Sequence, residues 1–368
     1  MNITLILLAA GNSTRMGMRV KKQWLRTGHE PLWLYVANKF KTKFKNIIIV
    51  SNADDLEYMR SFDESFTYVA GGSERQISLK NALSLVKTEF VLVSDVARVE
   101  VPLSLVDELI KVKDEFDCVS PYLSVVDTTY LGENIINRDD IKLIQTPQLS
   151  KTALLKKALE SDEIFTDDSM AVKSVGGKLG FIKGDKKAFK VTKKEDLARL
   201  SLPAPSTDIF VGNGFDVHKF DEGDGLMICG IKVPCEYKFI AHSDGDVALH
   251  ALTDSILGAC GLGDIGELFP DTDESYKGAD SARLLETTLQ RVLSYGYEVV
   301  NADITIIAQA PKLMNYKKLM QKRVSEILGT NRVNVKASTT ERLGFVGRKE
   351  GIAVIATATL KYYDWTKF

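Results

Sequence analysis

Apolar residues occur in short unbroken runs through the first half of the chain: ITLILLAA at 3–10, NIIIVS at 46–51, FTYVAGG at 66–72, EFVLVSD at 89–95 and DCVSPY at 117–122. Runs of this length and continuity read as strands buried on both faces. Between them, residues 73–87 and 102–115 repeat their apolar positions at helical spacing. The alternation predicts an α/β domain with a doubly wound, mostly parallel sheet, whose ligands bind at the carboxyl ends of the strands. Near residue 200 the pattern breaks. LSLPAPSTD at 200–208 holds two prolines, which forbid a continuing helix. It divides a domain over 1–200 from one over 207–368, with a linker at 201–206. The second half reads as α+β: a strand at 208–217, a hairpin in LMICGIKVPCEY, helices at 245–261, 280–295 and 312–328, and strands in EVVNADITIIAQA, NRVNVKAST and GIAVIATATLKYY. The halves share no internal repeat.

Composition narrows the classes. Hydrophobic residues are 45% and charged residues 26%, and 48 Lys+Arg against 49 Asp+Glu leave a net charge of −1. That balance gives no global pull toward nucleic acid or an anionic membrane, so neither is expected as a partner. The opening run is too short to span a bilayer and lacks a basic flank, so it reads as a first strand and not as a leader. Cys118, Cys229, Cys235 and Cys260 form no C-x-x-C pair and fit reduced residues of a cytoplasmic protein.

Candidate chemistry follows the first strand. In LLAAGNSTRMG, Gly11 lets the backbone turn and approach a ligand, and the loop amides can cradle an anion. Arg15 and Lys22 bring two cations to that cradle, an arrangement suited to a polyphosphate under attack at phosphorus. A plain strand–turn–helix with solvated cations is the alternative. Asp95 ends a buried strand, suited to hold Mg²⁺ on a triphosphate or to cap the next helix. AGGSERQIS places Gly71, Gly72 and Ser78 at another strand end, where a base or ribose could pack.

LLAAGNSTRMG, KKQ, GGSERQIS, SDVAR, DTTYL, QTPQL, TDDS and FKVTKKEDLA occur in the order found in 2-C-methyl-D-erythritol 4-phosphate cytidylyltransferases, which the first half therefore resembles over 5–198. The resemblance implies attack of methylerythritol phosphate on CTP, with release of pyrophosphate. It assigns Arg15 and Lys22 to the transition state, Arg138 and Lys190 to the incoming phosphate, and Asp95 to Mg²⁺ or Mn²⁺. Ala9, Ala10, Gly11, Gly71 and Ser78 would line the cytidine pocket, with Asp127, Thr128 and Thr146 near the alcohol phosphate. The chain departs from the family in three places. Ser13 or Thr14 stands for a second loop glycine, KKQ for PKQ, and DVARVE for DAARP.

In the second half, FDVH places Asp216 and His218 at i and i+2, on one side of a strand. His250 follows on a predicted helix. Asp, His and His make three ligands for Zn²⁺ or another divalent transition metal with an open fourth position; three unrelated polar residues near loops are the alternative. Asp254, one turn beyond, could orient His250 or form a surface ion pair.

GFDVHKF, AHSDGDVALHALTDSILGACGLGDIGELFPDTD, KGADS, ITIIAQAPKL and VKASTTERLGFVGRKEGIAV resemble 2-C-methyl-D-erythritol 2,4-cyclodiphosphate synthases over about 209–360. The implied reaction closes a cyclic diphosphate and expels CMP. The resemblance puts the metal on Asp216, His218 and His250, and makes Asp216, Val217 and His218 substrate contacts. Glu341 would orient a second Mg²⁺ or Mn²⁺ between the diphosphate phosphates. His242 and Ser243 would hold the attacking phosphate. Asp264, Ile265, Gly266, Phe269, Pro270, Asp271, Thr272 and Asp273 would surround the methylerythritol. Ala308, Lys312, Leu313, Met314, Ser338, Thr339, Thr340, Glu341, Phe345 and Arg348 would hold the nucleotide.

The reading is a bifunctional isoprenoid-precursor enzyme acting on two non-consecutive steps. A kinase must act between them, no kinase signature appears here, and that kinase is a possible associate. The resemblance also implies a homo-oligomer, through cyclase trimers and transferase dimers. A nucleotidyltransferase for another alcohol phosphate, or a scaffold with one silent half, are the alternatives.

Overall fold

The first apolar run forms β1 (Ile3–Leu8), parallel to its neighbours on both sides. The computed structural model describes residues 2–241, 243–270, 272–276 and 278–367. Contacts divide the chain into two units, one running to Ala204 and the other Pro205–Asp364. The segment from Trp365 onward, expected with the second domain, groups with the first. There the Trp365 indole is buried and donates to the Arg26 carbonyl at 2.6 Å.

The first unit contains α1 (Leu32–Lys41), β2 (Asn46–Ser51), β3 (Thr67–Ala70), α2 (Arg75–Leu83), β4 (Phe90–Asp95), α3 (Leu103–Lys111) and β5 (Cys118–Ser124). A small hairpin follows, β6 (Thr129–Leu131) with β7 (Asn134–Ile136). Then come β8 (Lys142–Ile144), β9 (Gln148–Lys151), α4 (Thr152–Ala158), α5 (Asp168–Ser174) and β10 (Leu179–Lys183). The sheet order is β8–β5–β9–β4–β1–β2–β3, with β10 beside β5. The strands with continuous apolar runs are the ones the sequence predicts. Strand β9 is short and half polar, and it inserts antiparallel between β4 and β5. The core on one face packs Ile6, Val50, Val91 and Val93 against Leu79, Leu83, Leu155 and Val172.

The second unit is built on β11 (Ile209–Glu222), longer than the predicted strand. It continues with β12 (Leu226–Ile228), β13 (Ile231–Val233), β14 (Tyr237–Phe239), α6 (Val247–Cys260) and α7 (Ser281–Ser294). The last elements are β15 (Tyr297–Ile307), α8 (Lys317–Leu328), β16 (Val333–Ser338) and β17 (Gly351–Tyr362). The sheet order is β14–β11–β17–β15–β16, with β12 and β13 as a separate hairpin. Helix α6 lies against β11 because Gly212 and Gly214 carry no side chain. A Cβ there would come within 1.9 Å of the Ser255 and Ala251 carbonyl oxygens. Gly214→Ala must push α6 off the sheet. Overpacking of this kind costs about 1–3 kcal/mol; a thermal unfolding scan should show it as a lower melting temperature of this unit.

The opposite face of this sheet is open. Ile209, Val211, Phe215, Val217 and Ile355 are all exposed on it. Among the described residues no helix is long and apolar enough to cross a membrane.

Candidate active sites

Leu8, the last residue of β1, pairs with Val50 on one side and Asp95 on the other. The loop that begins at Ala9 therefore leaves the sheet beside Asp95. Ser13 adopts a left-handed backbone, φ 56°, the conformation that favours glycine. This locates the missing second glycine of the loop. The serine adds something a glycine lacks, since its hydroxyl accepts the Lys22 N–H at 2.9 Å. Gln23 Nε2 donates to the Gly11 carbonyl at 3.1 Å, so the loop is tied at two points to the segment carrying Lys22. Lys21, where the resembled family has proline, instead pairs with buried Asp55 at 3.1 Å.

The result is a cavity of about 480 Å³ lined by Ala9, Ala10, Gly11, Arg15, Lys22, Ser78, Asp95 and Lys190. Gly71 stands behind it. A Cβ on Gly71 would meet Ala10 Cβ and Ser78 Oγ at 2.8 Å, so glycine lets the two walls close. Gly72 lines the cavity, and its N–H donates to Ser78 Oγ at 3.0 Å.

Four cations share this space: Arg15, Lys22, Arg75 and Lys190. Burial, then the charges of Lys190 and Arg15, lower the Lys22 ammonium to about 8. Its Nζ donates to the Val191 carbonyl at 2.9 Å. Burial alone would raise the Asp95 carboxyl, but Lys190 and then Arg75 overcome it and hold it below its ordinary value. Lys190 Nζ lies 2.6 Å from Asp95 Oδ2, and Arg75 Nε lies 3.8 Å from Oδ1. A single ionised carboxylate at a strand end fits a Mg²⁺ that takes most of its other ligands from phosphates and water.

The other residues assigned to this site lie elsewhere in the chain. Arg138, Asp127 and Thr128 do not line the cavity. Arg138 donates to the Val126 carbonyl at 2.6 Å, next to the β6–β7 hairpin. Thr146 lies behind the wall, where its hydroxyl accepts Arg98 Nε at 2.9 Å and the Asp95 N–H at 3.5 Å. Sequence reasoning missed Arg75, which lines the cavity and pairs at 2.9 Å with Asp168 of the TDDS motif. Nothing local links two residues 93 positions apart.

In the second unit, Asp216 and His218 share a face of β11 with Gly212 and Gly214, the face that α6 covers. His250 is on α6. Asp216 Oδ2 lies 3.2 Å from His218 Nε2 and 3.2 Å from His250 Nδ1. The three ligand atoms lie within 4.8 Å of one another, a set that could hold a metal ion. His218 Nδ1 lies 2.8 Å from the Gly245 carbonyl. A carbonyl only accepts, so Nδ1 donates and Nε2 keeps its lone pair toward the site. Burial would raise the Asp216 carboxyl, and only while His250 and His218 are protonated toward it do they lower it overall. An anionic oxygen and two imidazoles suit zinc chemistry. Asp254 does not orient His250 in the expected way, but accepts the Ile265 N–H at 2.8 Å.

The adjoining cavity, about 330 Å³, includes Ser243, Ile265, Gly266 and Phe269 as expected, and adds Tyr276 and Leu284. His242 and Asp271 lie outside the described residues. Asp264 caps the short helix after it, accepting the Glu267 N–H at 2.9 Å, and Asp273 accepts that of Ser275 at 2.9 Å. Pro270, Thr272 and Asp273 are exposed. Val217 points to the open face of the sheet, away from the metal ligands.

The residues assigned to the nucleotide form a second group. Ala308 N donates to the Ser338 carbonyl at 2.9 Å where β15 and β16 end together. Leu313 is buried there and Met314 is exposed. Lys312 and Thr340 belong to the loops that follow these strands, and Phe345 to a short helix, Gly344–Gly347. Thr339 Oγ1 donates to Glu341 at 2.9 Å, and Arg348 is held by Glu350 at 2.8 Å. Within one chain none of this group lines the cavity of the metal ligands.

The chain matches the model of 2-C-methyl-D-erythritol 4-phosphate cytidylyltransferase over residues 3–202 and that of the YgbB family over residues 209–361. Proteins of Campylobacter hominis and Campylobacter fetus subsp. fetus, both named bifunctional enzyme IspD/IspF, are similar throughout. The first is 59% identical over 100% of both chains, the second 53% identical over 99% of both. The solved structure of the bifunctional IspDF from Campylobacter jejuni superposes with a TM-score of 0.92 at 51% identity, covering 99% of this chain and 100% of that one.

Proposed function

Because the chain belongs to the family of bifunctional IspD/IspF enzymes, we propose that its two cavities divide the family's two reactions between them. It is a transferase and a lyase of the methylerythritol phosphate route. The first unit transfers cytidylyl from CTP to 2-C-methyl-D-erythritol 4-phosphate. The second converts 4-CDP-2-C-methyl-D-erythritol 2-phosphate to the cyclic 2,4-diphosphate. The observation that carries the division is the presence in one chain of a four-cation cavity around Asp95 and a separate Asp/His/His cluster.

In the first cavity, a phosphate oxygen of methylerythritol phosphate attacks the α-phosphorus of CTP and pyrophosphate leaves. Lys22, Arg15 and the amides of the Gly11 loop neutralise the growing charge. Lys190 moves from Asp95 to the incoming phosphate. Asp95 would hold Mg²⁺, which supplies further neutralisation of the triphosphate. In the second, the 2-phosphate attacks the β-phosphorus, the bond to the α-phosphate oxygen breaks and CMP leaves. Asp216, His218 and His250 would hold Zn²⁺, which supplies Lewis-acid polarisation of a phosphate. His242 and Ser243 hold the attacking phosphate, and Glu341 would orient a second divalent cation.

Two observations favour an oligomer. In one chain the nucleotide group does not line the metal cavity, and β11 and β17 expose an apolar face on which copies could associate and complete it. Val126, Tyr130, Leu131 and Ile135 are exposed near Arg138, an arm suited to deliver Arg138 to the cavity of a second copy. We place the enzyme in the cytoplasm, with the intervening kinase as a possible associate.

The test supplies purified chain with CTP and methylerythritol phosphate, reading pyrophosphate, and separately with the CDP-methylerythritol 2-phosphate, reading CMP. Both products are expected. Loss of either, with metal supplied, removes that cavity's assignment. The pH dependence tests Lys22 more closely. An ammonium lowered to about 8 is charged below that pH and neutral above it. The transfer kcat/KM for CTP should therefore fall as pH rises through about 8, and Lys22→Arg should flatten that fall.

A further inference from the structure

We propose that Asp244 and Ser281 form a positioning pair that fixes which nitrogen of His250 faces the cation site; the proposal rests on the metal reading above. Ser281 opens α7, and it is buried at 1% exposure. Its hydroxyl is not needed as a cap, because Asp280 accepts the Ala282 N–H at 2.8 Å. Instead Ser281 Oγ lies 2.5 Å from Asp244 Oδ1 and 2.9 Å from His250 Nε2. The same carboxylate oxygen accepts the backbone N–H groups of Ser281 and Asp246, each at 3.3 Å.

The direction of this chain follows from donor chemistry. A carboxylate accepts only, so the single hydroxyl proton of Ser281 goes to Asp244. Its oxygen then offers a lone pair to His250, and Nε2 must carry the hydrogen. Ser243 Oγ, 3.2 Å from the same nitrogen, accepts the Gly245 N–H at 3.0 Å and can receive Nε2–H as well. Nδ1 is left bare, facing Asp216 Oδ2 at 3.2 Å. With His218 fixed by Gly245, three acceptors converge on one point, which is unfavourable until a cation stands between them. The KGADS motif, quoted for its resemblance alone, thus acquires a role through its serine. In the other tautomer, Nδ1–H would turn toward the cation and the lone pair toward Ser281.

Outer partners of a metal-bound histidine change affinity by about 10–100-fold when lost. Full-length protein is titrated with zinc against a fluorescent chelator. Ser281→Ala and the near-isosteric Asp244→Asn should each raise the zinc Kd by about 10–100-fold, while Ser281→Thr, which keeps the hydroxyl, stays within about threefold of wild type. Cytidylyl transfer, made by residues of the first unit, should be unchanged in all three, and a melting curve reports folding of the second unit. ¹⁵N spectra of histidine-labelled, zinc-loaded protein give a second readout, with the metal expected on Nδ1 of His250. Zinc on Nε2, or both Ser281→Ala and Asp244→Asn binding zinc within threefold of wild type, overturns the proposal. A wild-type chain that takes up no zinc overturns the metal reading and this proposal with it.

Discussion

Lys22→Ala is expected to lower CTP-dependent pyrophosphate release by about two to three orders of magnitude and to leave CMP release by the second unit near wild type. Preorganised donors aimed at developing charge are worth roughly 3–4 kcal/mol each. Lys22 meets that condition in an unusual electrostatic setting. It is half-buried beside Lys190 and Arg15, and those neighbours help lower its pKa. Four cations around one carboxylate repel one another until a polyanion arrives. The alanine variant should therefore lose activity without losing stability, because it removes a repulsive, desolvated charge. Arg15→Ala should lose activity in the same way. Pyrophosphate release and a melting curve on each variant check both halves of the expectation. Release within a few-fold of wild type removes the residue from the mechanism.

His250→Ala should strip bound zinc and abolish CMP release, with cytidylyl transfer intact. His250 is one of only three protein ligands proposed here. Its loss leaves Asp216 and His218, both on β11, with nothing from α6 to close the site. Elemental analysis of the purified variant reads the metal directly. His242→Ala, assigned to the attacking phosphate, should retain zinc and lose turnover. The reverse pattern would exchange the two histidines.

The strands of the first unit were legible because a strand covered on both faces must be apolar throughout, and ITLILLAA or EFVLVSD has few other uses. Strand β9 was not, because QLSK carries no such run and owes its place to β4 and β5 on either side. Asp216, His218 and His250 were legible for a similar reason: i and i+2 on a strand share a face whatever the rest of the fold does. Arg75 and Asp168 were hidden, since their pairing is made by the packing of α2 near α5. So was the serine of KGADS, whose hydroxyl reaches His250 across 31 residues. The grouping of Ala308 with Ser338 follows from the parallel pairing of β15 and β16. Spacing along the chain holds no record of that.

Trp365 has a consequence for how the two activities could ever be parted. Its indole is seated on the Arg26 carbonyl, 339 residues upstream. A gene split at the proline linker would encode a first product lacking a side chain from its own interior, and a second product carrying that side chain as a stray apolar tail. Fission into two free-standing enzymes thus requires a compensating change near Arg26 as well as a new stop codon, a barrier that favours inheriting the pair as one reading frame.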